Sequence, residues 1–122
     1  MTRLILVSVA LAIIFANNVL SDSQRCYWCS SIAGAPFCDA VLDPSTSGAQ
    51  SWVTEETCGN STSHVCVIVK LNATEAYIYE RHCAEATRDG KEFCEYVVDD
   101  LDANSTLVEC KTCDTDLCNT VL

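Results

Sequence analysis

The chain has 122 residues, ten of them cysteine, with 17 acidic against seven basic side chains and a formal net charge of −10. That length carries one domain. The charge is wrong for nucleic acid, whose phosphates need clustered Lys and Arg, and equally wrong for a polybasic grip on anionic lipid.

Arg3 precedes an apolar run from Leu4 to Ala16, and the sequence turns polar at Asn17 and Asn18. A basic start, a short apolar core and small residues beyond it describe a secretory signal peptide at residues 1–21. Val19 and Ser21 place cleavage after Ser21, with Ala16 and Ser23 as fallback sites. The apolar run is too short for a transmembrane helix, which needs roughly 17–25 residues. Removing 21 of 122 residues leaves 101 and takes away Arg3 but no acid, so the charge moves from −10 to −11. All ten cysteines stay in this single domain at 22–122, in a compartment where disulfides form and persist. The competing use of the cysteines is zinc, because Cys26-x-x-Cys29 and Cys110-x-x-Cys113 resemble two halves of a ribbon. The secretory route and the six other cysteines favour disulfides, so no metal or other cofactor is expected.

The elements that follow read as all-β. A first strand is expected at Arg25–Ser30, partnered by Ser51–Thr54 across a loop containing Asp43-Pro44 and Ser47-Gly48. The runs 64–71 and 76–83, rich in β-branched and aromatic residues, flank Asn72-Ala73-Thr74-Glu75 and read as a hairpin. Helix is expected nowhere except between Cys83 and Lys91, ending at Asp89-Gly90. A second hairpin is expected from Glu92–Val98 and Leu107–Cys110, with its turn at 99–106.

Ten cysteines allow hundreds of pairings, and spacing alone does not choose among them. The order Cys26-x2-Cys29-x8-Cys38-x19-Cys58-x7-Cys66-x16-Cys83-x10-Cys94-x15-Cys110-x2-Cys113-x4-Cys118-Asn119 nevertheless resembles the three-finger family of lymphocyte-antigen-six and urokinase-receptor domains. Cys26-x-x-Cys29 and the closing Cys113-Asp114-Thr115-Asp116-Leu117-Cys118-Asn119 carry the likeness. Tyr79-Glu80-Arg81-His82-Cys83 and the Asp-Leu-Cys-Asn ending are similar to the insect sleepless/quiver-like branch. The resemblance implies a small disulfide-rich three-finger domain with the bridges Cys26–Cys66, Cys29–Cys38, Cys58–Cys83, Cys94–Cys110 and Cys113–Cys118. Fingers would run from Cys26 to Cys58, Cys66 to Cys83 and Cys94 to Cys110. Two features depart from the pattern. Lys111-Thr112 separates the eighth and ninth cysteines, which are adjacent in typical members, and only four residues follow the last one. A glycolipid anchor signal needs a spacer and roughly 10–20 apolar residues, so the expectation is a secreted protein, with a GPI-anchored one as the alternative if the chain continues.

Asn60-Ser61-Thr62, Asn72-Ala73-Thr74 and Asn104-Ser105-Thr106 are glycosylation sequons, and Asn72 and Asn104 fall at the expected tips of the second and third fingers. A glycan on Asn72 obstructs insertion of a bare fingertip into a receptor cleft. Partner contacts are therefore expected from Trp28, Phe37 and Trp52 and from the hairpin face around Tyr77 and Tyr79. The alternative use of these rings is to cover the disulfides.

Catalysis is not expected. His64 and His82 lie in expected strands, no Gly-x-Ser-x-Gly elbow occurs, and ten cysteines leave no obligatory free thiol. Asp100-x-Asp102-x-Asn104 imitates the start of a calcium loop, but Ser105 stands where Gly is needed and Lys111 where Glu is needed. The resemblance implies a non-enzymatic modulator that binds the extracellular part of a membrane channel or receptor, such as a potassium channel or nicotinic acetylcholine receptor, with effects on excitability and sleep. A cell-junction organiser and a soluble toxin-like inhibitor are the alternatives.

Overall fold

A computed structural model describes residues 23–33, 37–46, 48–60 and 62–122. The expected signal peptide at 1–21 lies outside them. Among the described residues seven strands form in chain order: β1 (Ser23–Ser30), β2 (Thr54–Asn60), β3 (His64–Ala73), β4 (Ala76–Glu85), β5 (Thr87–Arg88), β6 (Lys91–Glu92) and β7 (Ser105–Cys113). One α-helix, α1 (Phe93–Asp100), and 3-10 turns at Ser31–Ala33 and Ala49–Ser51 complete the set among the described residues. The main sheet has five strands in the order β2-β1-β4-β3-β7, every neighbouring pair antiparallel, and β5 and β6 make a separate ribbon. The domain is small, mostly β and disulfide-rich, as its composition implies.

The central hairpin is longer than its apolar runs suggest. Pairing continues from His64↔Glu85 to Ala73↔Ala76, so only Thr74 and Glu75 turn the chain, with Thr74 at φ 56°. β3 sits between β4 and β7 and is covered on both sides, which explains its near-continuous apolar run. Val67 and Val69 are buried under α1, while Cys66 and Ile68 are buried on the opposite face.

Three expectations about secondary structure are corrected. The stretch 93–98 is helix rather than strand, despite Tyr96, Val97 and Val98. Glu92 and Glu95 form a reciprocal capping box, and Phe93, Tyr96 and Val97 recur at helical spacing to seal the sheet beneath. Burial of that face overrides β-propensity, and β7 pairs with β3 instead. Conversely, the segment 83–91 is not helical. β4 runs to Glu85, and Asp89 (φ 52°) and Gly90 (φ 77°) turn β5 into β6, the left-handed pair that a two-residue hairpin requires. Finally, the partner of β1 is Thr54–Asn60 rather than Ser51–Thr54. Ser51 closes a 3-10 turn, and the register runs from Trp28↔Thr54 to Ser23↔Asn60.

Candidate functional site

The structure joins the same five cysteine pairs that the resemblance implies, with Cα separations of 5.3–6.1 Å. Cys26, Cys58 and Cys66 are buried at one end, with Cys83, Cys113 and Cys118 packed against them. Two sulfur triads, Cys26/Cys58/Cys83 and Cys66/Cys113/Cys118, have metal-like spacing. Every cysteine among the described residues is bridged, so these sulfurs offer no thiolate. The Cys94–Cys110 bridge ties α1 to β7.

Asn119 and Arg81 lock this end together. Asn119 is fully buried; its Oδ1 accepts the Tyr27 amide (2.9 Å), and its Nδ2 donates to the carbonyls of Tyr27 (2.9 Å) and Val67 (3.2 Å). One primary amide thus mimics a strand partner for β1 and β3, which gives the residue after the last cysteine a physical role. Arg81 is also fully buried and meets carbonyls rather than a carboxylate. Nε donates to Asn119 (2.9 Å), and Nη2 donates to Thr120 (3.1 Å) and Ala40 (3.3 Å). Burial lowers the guanidinium pKa from its ordinary value to about 10, against the pull of Asp39. The tail also pairs with the first finger through Val41↔Val121, Leu42 N–H to Thr120 and Leu122 N–H to Ala40.

Strand alternation divides the sheet into two faces. On the arginine face lie Arg81, Tyr79 and Tyr77 of β4, with Ile68, Lys70 and Asn72 opposite them on β3. Cys29 pairs with Arg81, so Cys29 and Tyr27 share this face, and Tyr79 and Phe37 pack with them over Cys38, Leu42 and Val53. Towards the fingertip, the Lys70 ammonium lies 4.4 Å from the Tyr77 ring centroid and 5.7 Å from that of Tyr79, and reaches Glu109 at 3.7 Å. Tyr77 is 58% exposed, and its cross-strand partner is Asn72, itself exposed. Any sugar on Asn72 therefore stands beside Tyr77.

The helix face carries α1 and a groove of about 630 Å³ between the β2 end of the first finger, β4 and the helix. Val69, Leu71, Phe93, Val97 and Leu101 give it an apolar lining, and Glu56, Glu80, Glu85 and Asp100 give it acid. Arg88 binds Glu85 (3.4 Å) and Asp100 (2.8 Å), and its guanidinium carbon lies over the Tyr96 ring, 4.3 Å from the centroid. Burial raises the Tyr96 phenol pKa, with Arg88 opposing, and its hydroxyl donates to the Glu85 carbonyl (2.7 Å). Among the described residues Glu56 and Glu80 have no ion-pair partner. Glu56 accepts the Cys83 amide (3.1 Å), and Glu80 faces the Ser30 hydroxyl at 3.5 Å. His82 places Nδ1 2.8 Å from the Cys83 carbonyl, which requires that nitrogen to donate, and its ring meets Phe93 edge-on. Trp28, 44% exposed, shares parity with Ser30, whose partner is Glu80, and so belongs to this face.

The five aromatic candidates therefore do not make one patch. Trp28 lies on the helix face and Tyr77 and Tyr79 on the arginine face. Phe37 and Tyr79 partly cover the first-finger core, and Trp52 follows the second 3-10 turn, 45% exposed. The sequence alone does not reveal the groove, because the part of its wall made by Phe93, Tyr96 and Val97 lies in a stretch expected as strand. Its acids were visible only as scattered charge. Asn104 is exposed in the α1–β7 loop, where its amide donates to Asp102 Oδ1 (2.9 Å), and Asp100 is held by Arg88, so the calcium-like triad is a polar turn. Asn60 ends β2.

A β2-β1-β4-β3-β7 sheet closed at one end by bridged sulfurs defines a small three-finger domain. The sequence matches the family model described as the Quiver family u-PAR/Ly-6-like domain over residues 24–119, and the chain belongs to that family. No curated protein and no solved structure matches it. Domains of this kind are extracellular or cell-surface and generally non-enzymatic, and they typically engage membrane receptors or channels. Among the described residues no helix is long and apolar enough to cross a membrane.

Proposed function

We propose that this protein modulates a neuronal membrane protein from the extracellular side, as a ligand of a potassium channel or nicotinic acetylcholine receptor that alters excitability and sleep. Membership of the Quiver family across residues 24–119 carries this reading. The exposed rings of Trp28 and Tyr77 on a sheet stapled at one end, and of Trp52 just before β2, supply contact surface in keeping with it.

Insertion of the second fingertip into a cleft, as a toxin-like inhibitor would do, is disfavoured. The hairpin's cation, Lys70, is held back over Tyr77 and by Glu109, and the Asn72 sequon stands beside them. Proximity labelling on intact neurons with the tagged protein tests the reading. Recovery of a channel or receptor subunit supports it; recovery of junction proteins replaces it with the junctional alternative.

A further inference from the structure

We propose that the groove between β2, β4 and α1 receives a basic segment of the partner's extracellular surface, one that carries an apolar side chain between its cations. The inference deepens the reading of the chain as a binding module and rests on it. The groove, at about 630 Å³, is large enough to take several side chains, and its lining pairs an apolar floor with acids on the walls. Charge decides the occupant. Arg88 is consumed by Glu85 and Asp100, whereas Glu56 and Glu80 reach the groove with no cation of their own among the described residues. Such a wall repels an acidic segment and attracts Lys or Arg, and phenylalanine and histidine rings beside carboxylates favour a guanidinium further. Trp28 continues the same face beyond Glu80 and gives the incoming segment an aromatic anchor outside the groove. The opposite face offers a poorer site, because its one cation near the fingertip is already engaged and a glycan acceptor adjoins its exposed ring.

The test is a nuclear magnetic resonance titration of the isotopically labelled secreted protein with an acetylated, amidated hexapeptide of alternating leucine and arginine. The same peptide with glutamate for arginine is the control. The arginine peptide should shift the amides of Glu80, His82, Val97 and Leu101, weaken as salt rises, and bind about tenfold less tightly to the E56Q/E80Q variant. Gln at position 56 keeps an oxygen for the Cys83 amide, and the single E80Q variant, which disturbs only the Ser30 contact, serves if the double one does not fold. The E75Q/D114N variant removes two charges elsewhere and should bind like the parent.

Equal binding by E56Q/E80Q, or shifts centred on Tyr77 and Lys70, overturns the proposal. So does full displacement of the peptide by tetramethylammonium at the same concentration, which would make the groove a site for small organic cations. These failures leave the modulator reading standing if proximity labelling still recovers a channel or receptor. Recovery of junction proteins removes that reading whether or not the peptide binds.

Discussion

Arg81 offers the sharpest test of how this fold is held. In Arg81→Ala the Asn119 carbonyl loses its donor, the carbonyls of Thr120 and Ala40 keep only the backbone amides of Leu42 and Leu122, and the space beside the Cys29–Cys38 bridge empties. A hydrogen bond from a charged donor is worth about 1.5–3 kcal/mol, and a buried acceptor left bare costs about 1–3 kcal/mol. The Thr120 and Ala40 carbonyls are only partly buried, so water recovers some of their loss, and removal of the charge returns the cost of burying it. The balance is a destabilisation of about 3 kcal/mol, which for a domain of this size lowers the thermal midpoint by on the order of 10–20 °C. Thermal unfolding followed by circular dichroism, with the disulfides intact, measures it. Arg81→Met keeps most of the volume but none of the donors and should recover only the packing share. A stability for Arg81→Met within about 0.5 kcal/mol of the parent would refute the reasoning, because it would show that the three carbonyls do not need the guanidinium.

Asp116 should show a pH-dependent role. The Arg25 side chain and amide hold its carboxyl below the ordinary 3.8, so the folded state binds that proton less readily than the unfolded chain. Its contribution is present above that value and lost as pH falls through the folded pKa. Asp116→Asn should therefore be less stable than the parent at neutral pH and converge with it in acid, as urea titrations at several pH values will show. Gly90→Ala meets no neighbour but imposes a side chain at φ 77°, so it should cost about 1 kcal/mol in urea unfolding and leave binding unchanged. Loss of the Cys29–Cys38 bridge, which spans 9 residues, should cost roughly 2–3 kcal/mol in the same assay when both cysteines become alanine. Glycosidase treatment of the protein produced in animal cells should lower its mass, and Asn72→Gln should remove one glycan's share.

The cysteine order and the apolar runs were enough to read the class of fold, because disulfide spacing and a doubly covered strand such as Val65–Leu71 leave marks within a short stretch. What escaped depended on distant partners. Tyr96-Val97-Val98 prefers a strand locally and becomes helix because Phe93 and Tyr96 must cover Val67 and Val69, some thirty residues earlier. The Asp89-Gly90 pair stops a helix as readily as it turns a hairpin; the extension of β4 to Glu85 settles which.

The same dependence governs the site. Glu56 and Glu80 are 24 positions apart and read singly as solvated surface, yet β1 pairs with both β2 and β4 and sets them on one face. Trp28 and Tyr77 read as parts of two contact regions with no stated side, and the Cys29↔Arg81 register puts them on opposite sides of the sheet. The residues that stiffen the molecule are therefore legible from their chemistry, whereas those that face a partner become legible only through the register. A substitution that shifted β1 against β4 by one residue would move Trp28 to the arginine face and dismantle the groove wall while leaving every cysteine in the chain.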